Sequence, residues 1–341
     1  MNDSPLAQLT IIRFREFIRE PEALFWVFVF PILMAAGLGI AFRNRPPEVL
    51  PIGAVTPELT LALKKDTLLD VKQFSESEGA EALRTGKITL LAVPAKDATV
   101  EYRYDDTNAE GRSARMFADR AVQKAAGRTD PVGSNDKIMR EAGSRYIDFL
   151  IPGLLGMNLM GSAMWSMGFT IVDARRKKLI KRLVATPMPR HYYLLSFVLS
   201  RLTMLVLEVG VVLAFGWFVF EVPLRGSVWT FALLCVIGSL AFCALGLLTA
   251  SRVQTIEAAS GIMNIVMMPM WIVSGVFFSS QRFPDFLQPL IKALPLTAVI
   301  DGLRATMLQG ASLAQVAPQL AILAAWLVVC FTIALKIFRW R

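Results

Sequence analysis

The sequence predicts a polytopic α-helical membrane protein with six transmembrane helices and an α/β extracytoplasmic domain between helices 1 and 2. Hydrophobic residues make up 55% of the chain and charged residues 18%, and the mean hydropathy is +0.51. The apolar residues form segments of about 20 residues, the length that a helix needs to cross a hydrocarbon core of about 30 Å with its backbone bonded internally. One long polar block interrupts these segments after the first of them.

The N-terminal residues 1–23, which precede the first span, are expected to lie along the cytoplasmic leaflet as an amphipathic interfacial helix. Apolar side chains on one arc oppose charged ones, a pattern typical of helices at membrane surfaces. Pro21 lies where the chain must turn into the first span. A frayed, solvated tail is the alternative. The residues that define this interfacial helix are Arg13, Phe14, Phe17 and Arg19.

Apolar length and composition set the predicted spans. They are Leu24–Phe42, Ile147–Val172, Leu194–Phe220, Val228–Ala250, Ala258–Ser279 and Val316–Ile337. Pro31, Pro152 and Pro269 lie inside spans, where they favour kinks that serve either packing or a gate. Small residues in the fourth span, such as Gly246, and the pair of Ser162 and Ser166 indicate close helix packing.

Positive charge is concentrated between the second and third spans, and the positive-inside rule therefore places this loop in the cytoplasm. Its cations are Arg175, Arg176, Lys177, Lys178, Lys181, Arg182 and Arg190. With six spans, both termini share the cytoplasmic side. The loop between the fifth and sixth spans, which carries Arg282, Lys292 and Arg304, is then extracytoplasmic. We expect a membrane domain over 146–341, with a cytoplasmic coupling loop at 173–192 and an extracytoplasmic helical loop at 280–315.

The polar block, residues 43–145, is predicted to fold as a small α/β domain. Short apolar runs indicate strands, and longer runs of helical composition alternate with them. The predicted strands are Ile52–Val55, Ile88–Val93 and Val100–Tyr104, and the predicted helices are Glu76–Arg84 and Ala109–Ala126. Gly127–Asn135, rich in Gly, Pro, Asp and Ser, is the expected linker back to the membrane.

The motifs of common enzymes are missing from the sequence. A phosphate-binding P-loop requires G-x-x-x-x-G-K-[ST], and the nearest run, Thr85–Ile88, has the wrong glycine spacing and no hydroxyl residue after Lys87. The single histidine, His191, has no partners at metal-ligand or catalytic spacing. We therefore expect no catalytic residues, no metal site and no cofactor bound by this chain. The cysteines Cys235, Cys243 and Cys330 lie in predicted spans and are expected to be core residues.

Charged and amide side chains inside the spans are the remaining candidates for a site, because a charge that faces lipid is costly. Arg201 and Glu208 are seven residues apart in the third span and share a helical face. We interpret Arg201 as snorkelling to the cytoplasmic surface. Glu208 belongs either to a structural ion pair or hydrogen bond, or to a translocation path. Asn264 is a further candidate for these roles, although such residues more often form hydrogen bonds between helices.

Residues at three places of the chain match a known family of membrane proteins. They are Arg15–Pro21 leading into Phe28–Ile32, the cytoplasmic run Lys181–Pro189, and the series Pro269–Phe278, Phe283-Pro284, Leu294–Thr297, Asp301–Arg304 and Gly310. These runs resemble the ABC-2 type transporter permeases, the membrane subunits of a class of ATP-driven exporters. They occur in the family's order, and the polar block resembles that of the subfamily with a large external domain, as in multidrug-type exporters. The chain departs from many members at Asp173–Ile180, where they have an acidic stretch containing Gly-Thr.

The resemblance implies a multi-pass permease of the bacterial plasma (inner) membrane, with cytoplasmic termini, that moves a drug-like, lipid or other hydrophobic substrate out of the cytoplasm or the inner leaflet. It implies a second copy or a homologous permease and a separate ABC ATPase that binds ATP and Mg²⁺. A periplasmic adaptor and membrane lipid are further candidate partners, and nucleic acid is not expected. The residues expected to dock the ATPase are Arg175, Arg176, Lys178, Leu179, Ile180, Arg182, Leu183, Thr186 and Pro187.

Two other functions remain alternatives. A proton-coupled secondary transporter would contain inverted repeats and several intramembrane acids, and Glu208 is the candidate acid in this chain. A receptor or scaffold would bind its ligand through the external domain and use the helices as an anchor. Six spans with internal prolines and an intramembrane acid exceed what an anchor needs.

Overall fold

The computed structural model describes residues 5–43, 49–95, 99–129, 132, 143, 145–177 and 190–337. The chain forms two compact units, one made of Met1–Arg43 with Met139–Arg341 and the other of Asn44–Ile138. We call the first the membrane unit and the second the α/β unit.

The described helices and strands are numbered in chain order. The helices are α1 (Pro5–Ile18), α2 (Pro21–Leu24), α3 (Phe30–Arg43), α4 (Pro57–Leu63), α5 (Glu76–Arg84), α6 (Ala109–Ala125), α7 (Tyr146–Arg176), α8 (Arg190–Phe220), α9 (Val228–Ala250), α10 (Ile256–Val273), α11 (Gln288–Ala293), α12 (Pro295–Gln309) and α13 (Ala317–Ile337). A π-helical segment, Phe25–Val29, joins α2 to α3. The strands are β1 (Leu50–Ala54), β2 (Leu69–Gln73), β3 (Leu90–Pro94) and β4 (Val100–Tyr104).

Among the described residues, six helical segments are long and apolar enough to cross a membrane, which confirms the predicted fold class. They are Pro21–Phe42, Tyr146–Asp173, Leu199–Phe220, Val228–Ala250, Ile256–Val273 and Ala317–Ile337. The pair Asp285–Ala293 and Pro295–Gln309, bent by 85°, would form a broken span or a re-entrant loop. Pro295 fits the first turn of α12 but cannot continue a helix that precedes it, and the chain therefore bends there.

The fifth span ends earlier than the sequence predicts. We expected Ala258–Ser279, whereas α10 ends at Val273. Ser274 caps the helix, and Gly275 follows it with a φ of 82°. This left-handed conformation is a common way to end a helix, and glycine adopts it without strain.

Helix α7 is the central helix of the membrane unit. In the most apolar stretch of this helix 89% of the residues are buried. The helix packs against α3, α8, α9, α10 and α12. A Cβ atom added to Gly246 of α9 would lie 2.8 Å from the backbone oxygen of Met164 on α7. The two helix backbones therefore approach closely at this glycine, as the small residues of the fourth span predict.

The π-helical segment before α3 is joined to α7 by an amide side chain. Pro31 has no N–H, so it cannot form the usual helical hydrogen bond to the carbonyl of Val27. The Asn158 side chain on α7 donates to that carbonyl at 3.1 Å. Asn158 is 7% exposed. A neighbouring helix therefore supplies a donor to the Val27 carbonyl, and both packing and a gate stay predictions for Pro31.

The α/β unit contains one sheet of the described strands, in the order β2-β1-β3-β4. β1 is parallel to β2 and β3, and β4 is antiparallel to β3. The predicted strands and helices are present with shifts of a few residues at their ends. Strand β2 and helix α4 were not predicted. Both are short, and β2 buries Leu69 and Val71 while the polar residues beside them stay exposed.

Candidate functional site

The predicted ATPase-docking residues start in the last turn of α7. Arg176 and Lys177 are exposed there, and Lys177 pairs with Asp173 one turn earlier at 2.8 Å. The Asp173 carboxylate accepts this hydrogen bond and, with a smaller contribution from Glu16 on α1, holds the pKa of Lys177 above its ordinary value.

Arg175 points into the protein, unlike its neighbour Arg176. Its guanidinium donates to the backbone carbonyl of Ala250 at 3.0 Å, of Ser251 at 2.7 Å and of Val253 at 3.1 Å. These carbonyls belong to the last residue of α9 and to the turn that leads to α10. Arg175 thus contacts another part of the membrane unit.

The other expected docking residues lie outside the described residues. They are Lys178, Leu179, Ile180, Arg182, Leu183, Thr186 and Pro187. Their role stays a prediction.

The N-terminal helix α1 packs against α8. Phe14 and Phe17 are partly buried and Arg19 is exposed, and the Phe17 ring meets the Phe28 ring edge-on at 6.3 Å between centroids. The side chain of Arg13 is not among those that the structure describes. Ile11, Ile12 and Ile18 are each about half exposed. The expected location of α1 at a membrane surface stays a prediction.

Arg201 and Glu208 form an ion pair buried inside the membrane unit. Arg201 Nη2 lies 2.6 Å from Glu208 Oε1, and the side chains are 8% and 1% exposed. The interpretation of Arg201 as a snorkelling residue is therefore wrong. Its guanidinium turns along α8 towards Glu208 because the acid, one heptad later on the same face, supplies the charge that burial requires.

Two serines complete the surroundings of this pair. Arg201 Nε donates to Ser239 Oγ on α9 at 2.8 Å, and Nη2 donates to Ser162 Oγ on α7 at 3.0 Å. The Ser162 hydroxyl in turn donates to the carbonyl of Asn158 at 2.7 Å. The ion pair therefore connects α7, α8 and α9 within one chain. The sequence analysis assigned Ser162 to packing alone and did not single out Ser239.

Asn264 is separate from this network. It lies on the exposed side of α10 with Ile265, which is 74% exposed, whereas Met263 and Met267 on the other side of the helix are fully buried. The structure therefore brings Arg201 and Glu208 together and leaves Asn264 on the surface of the single chain.

Arg304 is a partly buried charge, noted above in the charge of a loop and in the run Asp301–Arg304 but not expected to form a site. Its Nη2 donates to the carbonyls of Gly275 at 2.5 Å and Phe149 at 3.1 Å, and its guanidinium carbon lies 3.5 Å from the centre of the Phe149 ring. The Tyr146 hydroxyl donates to the nearby carbonyl of Phe277 at 2.9 Å. These contacts join α12, the start of α7 and the turn after α10. The feature of the sequence that could have indicated this role for Arg304 is its position within an apolar run of residues.

Among the described residues, no group of three or more His, Cys, Asp or Glu side chains could hold a metal ion. Cys235, Cys243 and Cys330 are buried and form no disulfide, as expected of core residues. The charged side chains of Arg175, Arg201, Glu208 and Arg304 therefore join helices of the membrane unit.

Comparison with known proteins gives a consistent family. The profile described as ABC-2 family transporter protein matches residues 21–336. The chain is similar to the inner membrane transport permease YadH of Escherichia coli K12, with 28% identity over 163 residues, 48% of this chain and 63% of the relative. The putative transport permease YvfS of Bacillus subtilis 168 is 28% identical over 139 residues, 40% of this chain and 56% of the relative.

A third relative has a more specific name. The probable multidrug ABC transporter permease YbhR of Escherichia coli K12 is 25% identical over 168 residues, 49% of this chain and 46% of the relative. The chain thus spans 63%, 56% and 46% of the length of these three curated relatives.

Proposed function

This chain belongs to the ABC-2 family of transporter proteins, and from that premise we propose that it is the membrane-spanning permease subunit of an ATP-driven exporter. The family match carries the proposal, because it runs from residue 21 to residue 336 and so covers all six candidate spans apart from the last residue of the sixth. Permeases of this family normally work with an ABC ATPase. The sequence lacks a P-loop, so ATP and Mg²⁺ would bind to that partner.

The proposed exporter moves a drug-like, lipid or other hydrophobic substrate outwards across a bacterial inner membrane. Similarity to a permease named as probably multidrug supports this substrate class. Similarity to an inner membrane permease supports the location. In this arrangement both termini and the 173–192 loop are cytoplasmic, and the α/β unit is extracytoplasmic.

A second copy of the chain, or a homologous permease, would complete the transporter. The membrane unit leaves large apolar side chains exposed, including Ile265 at 74% and Trp26 at 59%. Exposed apolar surface of this kind is typical of contact with lipid or with another protein. A periplasmic adaptor is a further proposed partner. The proton-coupled alternative is less well supported, because Glu208, its candidate acid, is paired with Arg201.

Co-purification tests this function. The tagged chain, extracted from its own cells in a mild detergent, should carry with it a protein that contains a P-loop. Replacing Leu179, Ile180 and Leu183 together by Asp should release that protein, because the apolar docking contact would be lost. Leu61→Asp, at a 68% exposed position of the α/β unit, is the control and should retain it.

Two results would count against the proposal in different ways. Absence of any P-loop protein from the wild-type preparation would contradict the function. Retention of the ATPase by the triple Asp variant would leave the function standing but move the docking surface elsewhere.

A further inference from the structure

The turn between α9 and α10 is held by a side chain from α7. The last carbonyls of a helix have no partner within the helix. They commonly accept hydrogen bonds from the backbone N–H groups that follow a glycine or asparagine in a left-handed conformation. The sequence around the end of α9 is Thr249-Ala250-Ser251-Arg252, with neither Gly nor Asn. Ala250, Ser251 and Val253 are nevertheless buried, so their carbonyls need donors.

Arg175 supplies these donors from the last turn of α7. A planar guanidinium can donate in several directions at once. Its Nη1 reaches the carbonyls of Ala250 and Val253, and its Nη2 reaches that of Ser251. Thr255 follows at once and caps the start of α10 by accepting a hydrogen bond from the Ala258 amide at 3.2 Å. The end of α7 and the start of α10 are therefore joined through a few residues.

Helix α10 also packs along α7. The side chain of Met263 fills the space beside Gly168, where an added Cβ would overlap it, and that of Met267 lies within 3.8 Å of the Cβ position at Gly161. The opposite side of α10 is exposed. A displacement of the end of α7 would therefore displace α10 as well.

We propose that Arg175 is a positioning residue that couples the loop after α7 to the start of α10. This inference rests on the proposed function, in which the ATPase docks on the loop after α7 through Leu179, Ile180 and Leu183. Movement of that loop is passed to the end of α7, through the Arg175 guanidinium to the turn at 250–253, and so to α10. Arg176, which is exposed, is left to contact the partner.

The first test needs no partner. Hydrogen–deuterium exchange is measured on the full chain in lipid nanodiscs, for the wild type and for Arg175→Gln, Arg175→Lys and Arg176→Gln. Loss of the guanidinium should speed amide exchange in residues 251–258 at least about tenfold, because hydrogen bonds from a charged group to buried carbonyls are lost. Arg175→Lys should restore only part of the protection, since one ammonium cannot reach all of these carbonyls. Arg176→Gln is the matched control and should leave the exchange unchanged.

Unchanged exchange in both Arg175 variants would overturn the link between α7 and the turn. An equal increase in Arg176→Gln would also overturn it, because the effect would then come from charge alone. Arg175→Lys keeps the test decisive if Arg175→Gln fails to fold. The outcome does not depend on whether the chain binds an ATPase.

The second test asks whether the link transmits movement. Spin labels are placed at Gln254 and Lys336, both exposed, in a background with Cys235, Cys243 and Cys330 replaced by Ala. Electron–electron distances are compared between the nucleotide-free and the vanadate-trapped complex with the ATPase that co-purifies with the wild type. The nucleotide-dependent shift should be present with Arg175 and lost in Arg175→Gln. We expect that variant to bind the ATPase, because the Arg175 guanidinium contacts the turn at 250–253, and co-purification checks this.

A purely structural role would not produce this selective loss. A shift of the same size in Arg175→Gln would overturn the coupling role and leave the proposed function intact. Failure of any ATPase to co-purify with the wild type would instead contradict the proposed function, and the exchange measurement would still decide whether Arg175 joins α7 to α10.

Discussion

Arg201 and Glu208 show how a charge is accommodated inside the membrane unit. Each neutralises the other, and the hydroxyls of Ser162 and Ser239 accept further hydrogen bonds from the guanidinium. The spacing of seven along one helix predicts that the two side chains can meet. The serine partners lie on α7 and α9, and a serine in an apolar span is equally typical of close packing, so their role could not be predicted from sequence.

We predict that Glu208→Gln destabilises the chain by about 3–5 kcal/mol, because it leaves the Arg201 guanidinium buried without a counter-charge. Thermal unfolding of the purified protein in detergent measures this. The double variant Arg201→Met with Glu208→Met should lose much less than the sum of the single variants, since both charges are removed together. Glu257→Gln, at an exposed position, is the control and should be close to neutral. Full stability of Glu208→Gln combined with loss of export would instead favour a role in the translocation path.

A second prediction concerns the amide of Asn158. Asn158→Leu removes the donor to the Val27 carbonyl that Pro31 leaves without its usual helical partner. We expect a loss of about 1–3 kcal/mol, the cost of leaving a buried acceptor unsatisfied. Asn264→Leu is the matched control, because Asn264 is exposed and its loss should have little effect on the free energy of unfolding. Equal losses in the two variants would refute the special role of Asn158.

At the scale of elements, apolar length predicts the spans well because the bilayer imposes that length on any helix that crosses it. It does not fix where a helix ends. Ser279 was included in the fifth span because the apolar residues continue, whereas the backbone of Gly275 ends α10. In the α/β unit, β2 was missed because a five-residue strand with one buried face gives little periodic signal.

The contact between α7 and α9 supports a third prediction. Gly246→Ala would place a Cβ atom 2.8 Å from the Met164 oxygen and 2.9 Å from its Cα, closer than real side chains approach. We expect a loss of about 1–3 kcal/mol from overpacking. Gly261→Ala is the matched control, since no atom lies within 4 Å of its added Cβ, and it should be neutral or stabilise by up to about 1 kcal/mol. If Gly246→Ala is tolerated as well as the control, the two backbones are not in direct contact.

At the scale of the molecule, arginines join α7 to its neighbours along its whole length. Arg304 of α12 contacts α7 near its start, and Arg201 of α8 contacts it near its middle. Arg175 belongs to the last turn of α7 and donates to the turn after α9. Their partners include backbone carbonyls far away in sequence, which no residue pattern reveals. On the distribution of charge alone, Arg175 and Arg304 were therefore predicted to lie in loops. This geometry makes α7 a suitable element to transmit movement from a partner that binds at its end.

The most direct measurement of the central claim is ATP hydrolysis by the purified chain, alone and in complex with its co-purifying partner. The chain has no P-loop, so we predict no hydrolysis above the blank when it is alone and vanadate-sensitive hydrolysis in the complex. Substituting the P-loop lysine of the partner should abolish that activity. Hydrolysis by the homogeneous chain alone, or a complex that hydrolyses no ATP, would contradict the account of this protein as the permease subunit of an ATP-driven transporter.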